Sequence, residues 1–359
     1  MAAPAPSLLP KILRKAKNMT IRIGLVGYGV GGRLFHTPYI QASTHCELVG
    51  VVARSERTQA AVKEDLPEVA IVGSLAELLE LGVDAVVIST PPATRRELVL
   101  EAINAGVAVV ADKPFAPSAA EAMELVEAAE KAGVLLNVFH NRRGDTHIVT
   151  ALGIREEIGA LRGLDLRIDL NEPESLEAGP EGGLLRDLGS HVVDQALVLM
   201  GSAMSVTAQL GNIDLPEGPT NARFRIVLEH ESGAVSHISA SKIDRLESWE
   251  LRLVGERGSY VSDYTDVQTA ASKQGLRPVK DREHWGYETQ ERWGTLVTEE
   301  GAKVIPSAQG DYTRFYDVFS LAVENGGAGP VPAREGVEVL KVLDAVVQSA
   351  AEKRTIELN

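Results

Sequence analysis

The sequence predicts an α/β plus α+β chain: an amino-terminal Rossmann dinucleotide-binding domain, then a domain built on a large, mainly antiparallel open sheet. Three observations predict it. Short β-branched runs alternate with helix-compatible segments from Ile21 to Val138, and a glycine-rich turn follows the first run. Past Asn141 the pattern changes to alternating runs broken by Gly, Asp and Asn. Strand–helix alternation implies parallel strands with crossover helices, whereas short alternating strands separated by turn residues imply antiparallel pairing.

The elements follow in chain order. IRIGLV, ELVGVVA, VAIVG, DAVVIST, VAVVAD and VLLNV read as parallel strands because strands buried on both faces are continuously apolar. Helices such as Ala93–Ala105 and Ser118–Ala132 lie between them. A helix at Ile148–Ile158 precedes a strand at Arg162–Leu170. Pro173–Gly183, rich in Glu, Gly and Pro, reads as a mobile loop over the site. Leu184, Leu188, Val192 and Ala196 recur every four positions, the spacing of one helix face, and set a helix over Leu184–Met200. SVTAQLG, ARFRIVLEH, GAVSHISASK, WELRLVGERG and SYVSDY are the antiparallel strands, and helices at Asp311–Asn325 and Ala333–Glu352 close the chain. The domains are therefore 19–140 and 141–359. Residues 1–18, Ala-Pro repeats and then a basic patch, read as a disordered extension. The charges there follow the apolar segment, the reverse of a secretory signal.

Composition excludes several classes. A chain of 359 residues accommodates two cores. Its net charge of −14 argues against nucleic acid and anionic membrane surfaces, both of which need a basic footprint. No apolar run approaches the roughly 18–20 residues of a membrane span. Cys46 is the single cysteine, so neither an internal disulfide nor a thiolate metal cluster can form, and no metal is expected. A reducing cytoplasm suits such a chain.

Gly27-Tyr28-Gly29-Val30-Gly31-Gly32 places Gly27, Gly29 and Gly32 in the G-x-G-x-x-G register between a strand and a helix. There the first glycine allows a tight turn, the second lets pyrophosphate approach the backbone, and the third lets helix and strand pack closely. Tyr28 and Val30 share that turn. The second strand ends at Ala53-Arg54-Ser55 without the carboxylate that would bond ribose hydroxyls. Arg54 can face a 2′-phosphate and Ser55 can donate a hydroxyl. NADP is therefore the expected cofactor, with NAD the alternative. Thr90 and Pro91 follow the fourth strand and Lys113-Pro114 the fifth, at the carboxyl ends where open α/β sheets bind ligands. Asp187 and His191 lie one helical turn apart, and Asp194 and Gln195 could hold the imidazole in one tautomer. His191, with an ordinary pKa near working pH, is the candidate general base.

With these residues in view, the chain from Met19 to Asn359 resembles the Gfo/Idh/MocA oxidoreductase family, particularly its NADP-dependent scyllo-inositol dehydrogenases. The GYGxGGxxFHxP start, the Lys-Pro step and VFHNRRGD from Val138 to Asp145 carry the resemblance, with DLGSHVVDQ, Trp285-Gly286 and the closing KRTIEL. It implies Lys113, Asp187 and His191 as the catalytic set, and Asn141, Arg142 and Tyr312 as substrate neighbours. It also implies a carboxy-terminal sheet that forms a homodimer or homotetramer. Asp112 stands where the family usually has Glu, and Gly144 where that branch has Trp, which predicts a differently shaped pocket.

The expected activity is NADP-dependent interconversion of a secondary alcohol and a ketone on a small polyhydroxylated cyclitol or sugar-like substrate. Two alternatives are carried: a redox-assisted glycosidase of the same family, and a non-catalytic dinucleotide-sensing protein.

Overall fold

The computed structural model describes residues 19–179 and 182–358, so the extension expected over residues 1–18 lies outside the described residues. Six parallel strands form the first sheet: β1 (Ile21–Val26), β2 (Cys46–Val52), β3 (Ala70–Val72), β4 (Ala85–Ile88), β5 (Ala108–Ala111) and β6 (Leu136–Val138). Their order, β3-β2-β1-β4-β5-β6, reverses direction between β1 and β4. Ligands bind outside the carboxyl ends of strands at such a switch point. Ile23, Leu25, Val86, Val87, Val109 and Val110 are fully buried, as their continuous apolar runs require. Helix ends carry local signals. Ser118 Oγ accepts the Glu121 N–H at 3.3 Å to start Ala119–Ala132, and Gly133, at φ +67°, ends it in the left-handed conformation.

The second sheet contains β7 (Leu161–Asn171), β8 (Ala203–Leu215), β9 (Gly218–His230), β10 (Val235–Ser241) and β11 (Ile243–Gly255). It continues with β12 (Gly258–Asp263), β13 (Gly294–Thr298), β14 (Gly301–Ile305) and the two-residue β15 (Ile356–Glu357). Among the described residues the order is β14-β13-β12-β11-β7-β10-β9-β8-β15, antiparallel throughout except for the parallel pair β7–β10. The helix Ser190–Met200 lies against β7 and β10, covering one face of this sheet.

The predicted helix Ile148–Ile158 is two pieces, Thr146–Gly153 and Arg155–Ile158. The closing helix Ala333–Glu352 packs on β8 and also on the first domain's Ala119–Ala132 and β6. No helix among the described residues is long and apolar enough to cross a membrane.

Candidate active site

The glycine turn is built for close approach. Gly27 sits at φ +99°, and a Cβ there would lie 2.5 Å from the Ser89 carbonyl oxygen. At Gly32 a Cβ would lie 2.2 Å from the Gly27 oxygen, so this glycine lets the following helical turn rest on the strand end. A Cβ at Gly29 would meet nothing within 4 Å. The second glycine thus faces open space, where a pyrophosphate would approach the backbone. Val30 is 70% exposed on the same turn. Tyr28 does not extend its side chain into that space: its hydroxyl donates to Asp65 Oδ2 at 2.9 Å, beside the Arg33–Asp65 ion pair. Its backbone alone belongs to the turn.

At the tip of β2, Arg54 is exposed and its Nε donates to the Gly73 oxygen at 3.4 Å. Ser55 Oγ accepts the Thr58 N–H at 3.2 Å and caps the helix Glu56–Asp65. Glu47 lies at the opposite end of β2, paired with Arg22. Thr90 Oγ1, after β4, is buried without a partner among the described residues, and Pro91 precedes the helix Pro92–Asn104. A buried hydroxyl without a partner is costly unless something completes it. Together with the open space at Gly29, it fits a dinucleotide laid across the strand ends.

Asp112 organises the end of β5. Its carboxylate accepts from Ser89 Oγ at 2.9 Å and from the Lys113 N–H at 2.8 Å, and His36 Nε2 lies 3.4 Å away. Burial pushes this carboxyl up, but His36, Arg95 and Lys113 more than reverse the effect and hold it well below the usual carboxylate range. Arg95 Nη1 binds the Asp112 oxygen at 2.7 Å and also the Pro114 oxygen, fixing the backbone on both sides of Lys113.

Lys113 Nζ donates to the Asp187 carbonyl oxygen at 3.0 Å and to Asp187 Oδ1 at 3.3 Å. Asp187 lies on a wide π-helical turn, Leu185–Gly189, that runs into Ser190–Met200. Gly183, at φ +88°, and Asn221, whose Oδ1 accepts the Leu185 N–H at 2.7 Å, set the start of that turn. Burial pushes the Asp187 carboxyl up, and Lys113 and Lys242 bring it well below its ordinary range, so it is ionised. Lys113, Asp187 and Lys242 line a cleft of about 250 Å³ together with Pro92, Leu176 and Glu177. The loop expected over the site thus borders this cleft.

His191 is buried, at 6% exposure. Desolvation and the charges of Lys113 and Arg142 push its pKa well below the ordinary value, so the imidazole is neutral rather than poised near working pH as the sequence suggested. Asp194 and Gln195 do not orient it. Asp194 is held by Arg143, with Nε 2.9 Å from Oδ2, and Gln195 Nε2 donates to the Arg142 oxygen at 3.1 Å. His191 Nδ1 has no protein partner among the described residues.

Asn141, Arg142 and Tyr312 gather in a second, buried group. Arg142 pairs with Asp145 and with Asp266, and its guanidinium lies 5.7 Å from the centre of the Trp249 ring. The Tyr312 hydroxyl donates to Asp145 Oδ1. Burial raises the Asp145 carboxyl to about 7, although Arg142 opposes that. This group reaches His191 through the Arg142 charge. Gly144 lines a cavity of about 350 Å³ with Asn141 and Tyr312, and a Cβ there would lie 3.2 Å from the Asp311 oxygen and 3.4 Å from Tyr312 Cδ1.

Sequence reasoning did not single out Lys242 or Asp145. Lys242 carried a readable signal: strand parity sets it on the same face as Ser236, Ile238 and Ala240, all buried, an unusual place for a lysine.

Two family models match the chain: "Oxidoreductase family, NAD-binding Rossmann fold" over residues 21–140 and "Oxidoreductase family, C-terminal alpha/beta domain" over residues 154–358. The uncharacterized oxidoreductase YdgJ of Escherichia coli is 32% identical, covering 94% of this chain and 98% of its own. The scyllo-inositol 2-dehydrogenase (NADP(+)) IolW of Bacillus subtilis is 31% identical, covering 96% and 98%. The solved structure of the Bacillus subtilis oxidoreductase yvaA superposes with a TM-score of 0.87 at 29% identity, over 96% of this chain and all of that one.

Proposed function

The chain belongs to the Gfo/Idh/MocA family of oxidoreductases, and from that premise we propose that it interconverts a secondary alcohol and a ketone on a cyclitol or sugar-like substrate, with NADP as its preferred cofactor. The observation that carries the reading is the contact of the Lys113 ammonium with the ionised Asp187 beyond β5, on the side of the glycine turn, with the neutral His191 one helical turn on and under the influence of the Lys113 charge. The names of relatives such as IolW support a polyhydroxylated substrate. When bound, the nicotinamide accepts or returns hydride at the reacting carbon.

The chain's own residues do the rest. The turn Gly27–Gly32, with Thr90 and Pro91, would hold the dinucleotide, and Arg54, beside the Ser55-capped helix, would supply positive charge to the 2′-phosphate. His191, being neutral, takes the proton of the substrate hydroxyl. Its basicity is depressed in the free protein, and negative charge developing on the substrate oxygen beside it would raise it toward the working range. Lys113 offers its ammonium to the oxygen as negative charge develops there. Asp187 positions that ammonium through two contacts. We assign the uncovered face of the second sheet to contact with another copy of the chain, a homodimer or homotetramer that light scattering would reveal, and the cytoplasm as its compartment.

The test is NADP⁺ reduction across a panel of inositols, aldoses and glycosides, with NAD⁺ in parallel. His191→Ala and Lys113→Ala should each lower kcat by about 10²–10⁴-fold with NADPH affinity near wild type. Near-wild-type turnover by both variants refutes the mechanism. Glycoside cleavage without net change in NADPH absorbance would replace it with the redox-assisted glycosidase, and dinucleotide binding without any turnover would replace it with a sensor.

A further inference from the structure

Lys242 belongs to none of the motifs that carried the functional reading. It fills the single position between β10 and β11, is 6% exposed, and places Nζ 2.9 Å from Asp187 Oδ2. The other oxygen of that carboxylate, Oδ1, lies 3.3 Å from Lys113 Nζ. One carboxylate therefore bridges two ammonium groups that come from different sheets. A buried lysine needs its charge answered, but a single ion pair would answer it. Here a second lysine shares the same acid, which leaves the trio with one more positive than negative charge.

We propose that Lys242 is a positioning residue: it holds Asp187 by Oδ2 so that Lys113 is free to turn its ammonium from Oδ1 to the oxygen of the reacting alcohol. Lys113 as found is engaged twice by Asp187, and serving a substrate oxygen requires it to loosen at least one of those contacts. Without Lys242 that movement would leave Asp187 without a counter-ion and free to rotate after the departing ammonium. With Lys242 in place, the carboxylate keeps a charge-assisted hydrogen bond throughout. The other charged groups around Asp187 do not take this role. Arg186, on the same turn, donates to the Pro117 oxygen at 2.9 Å, and Glu177, which borders the cleft, has the wrong sign. The Asp187 side chain is about half exposed (49%), and both lysines act to keep it ionised.

The inference rests on the alcohol–ketone reading, so its test has one arm that needs no turnover. That arm follows the Asp187 carboxyl by carbon NMR as pH falls, with NADP⁺ bound, in the wild-type protein, whose carboxyl should stay ionised to the lowest pH at which the chain is folded, in Lys242→Met and in Lys242→Arg, with Asp187→Asn identifying the signal. The inflection should move to higher pH in Lys242→Met and return in Lys242→Arg. The kinetic arm uses the best alcohol of the panel. Lys242→Met should lower kcat about ten- to a hundredfold, the cost of one hydrogen bond to a charged group, with KM for NADP⁺ unchanged. The acid limb of its pH profile should rise with the NMR inflection, and Lys242→Arg should recover most of the rate. In an Asp187→Asn background the same substitution should cost less than about twofold, since the interaction it removes is already gone. If Lys242→Met alone does not fold, this double variant, which leaves no lone carboxylate, takes its place with the same expectation. An unmoved inflection overturns the proposal. So does a rate loss that persists in the Asp187→Asn background or is not rescued by Arg. A wild-type protein that oxidises nothing in the panel refutes the alcohol–ketone reading alone, and the titration still decides whether Lys242 holds Asp187.

Discussion

Gly29 and Gly32 give opposite expectations for the same added methyl group. At Gly32 the methyl carbon would lie 2.2 Å from the Gly27 oxygen, 3.2 Å from its carbonyl carbon and 3.4 Å from Leu25 Cδ2. The first distance is far inside the roughly 3.5–4.0 Å of a favourable carbon contact. The clashing oxygen is backbone at the end of a central strand, so it cannot rotate away. Gly32→Ala must separate the helical turn from β1, and overpacking of that kind costs about 1–3 kcal/mol. At Gly29 the methyl would meet no protein atom within 4 Å. Its effect on stability should stay within about 0.5 kcal/mol, the range of a neutral surface change. If pyrophosphate approaches Gly29, however, the methyl stands in its way. NADPH affinity should then fall about tenfold or more, on the order of one lost hydrogen bond to a charged group. Thermal melts of the free proteins and fluorescence titrations with NADPH separate the two effects. Gly29→Ala with wild-type affinity would place the pyrophosphate elsewhere, and Gly32→Ala with an unchanged melt would refute the packing argument.

Two further outcomes are expected. Arg54→Ala should weaken NADPH far more than NADH, by on the order of 1.5–3 kcal/mol for a charge-assisted contact; equal losses for both cofactors in competitive titrations would show that the guanidinium does not read the 2′-phosphate. His140 is pushed down to about 4 by burial, against the raising effect of Asp194 and with the charges of Arg143 and Lys113. The unfolded chain therefore binds this proton first as pH falls from about 6.5, and the folded state loses stability until its own value is passed. Denaturant titrations of His140→Gln should show a fall between pH 6.5 and 4 that is smaller by on the order of 3 kcal/mol. An unchanged slope would mean that the folded imidazole titrates like a free one.

The first sheet was legible because each of its strands is apolar on both faces, as at VAVVAD and DAVVIST, where period and burial agree. Leu184, Leu188, Val192 and Ala196 are all buried as their spacing required. Less was legible where hydrogen-bond geometry departs from the regular period. The π-helical turns Gly31–His36 and Leu185–Gly189 look like ordinary helix to a 3.6-residue count. The hairpin β13–β14 escaped notice because Gly301, Ala302, Lys303 and Val304 are exposed and carry no apolar alternation. At the site, the proximity of Asp187 to Lys113 spans 74 positions and followed from family resemblance alone. The tautomer partners of His191 were misjudged because Arg143, far from that helix in sequence, claims Asp194.

The helix Ala333–Glu352 has a consequence for how the cofactor gets in and out. It comes late in the sequence, yet Pro332 bridges to Asn137 of β6, and Asp344 Oδ2 accepts the Ala119 N–H at 2.9 Å. Gly336 lies so near Val138 and Phe115 that a Cβ would come within 2.7 Å and 3.0 Å of them. The dinucleotide half is therefore clasped from behind by a helix that follows most of the second sheet in sequence. A hinge that swung the two halves apart would have to tear this clasp, so exchange of NADPH without separation of the halves is the expected outcome. The same clasp leaves the amino-terminal half incomplete on its own. Severed after residue 140, it would present Val138 and Phe115 to water, and the intact chain should melt in one step where its two family domains suggest two.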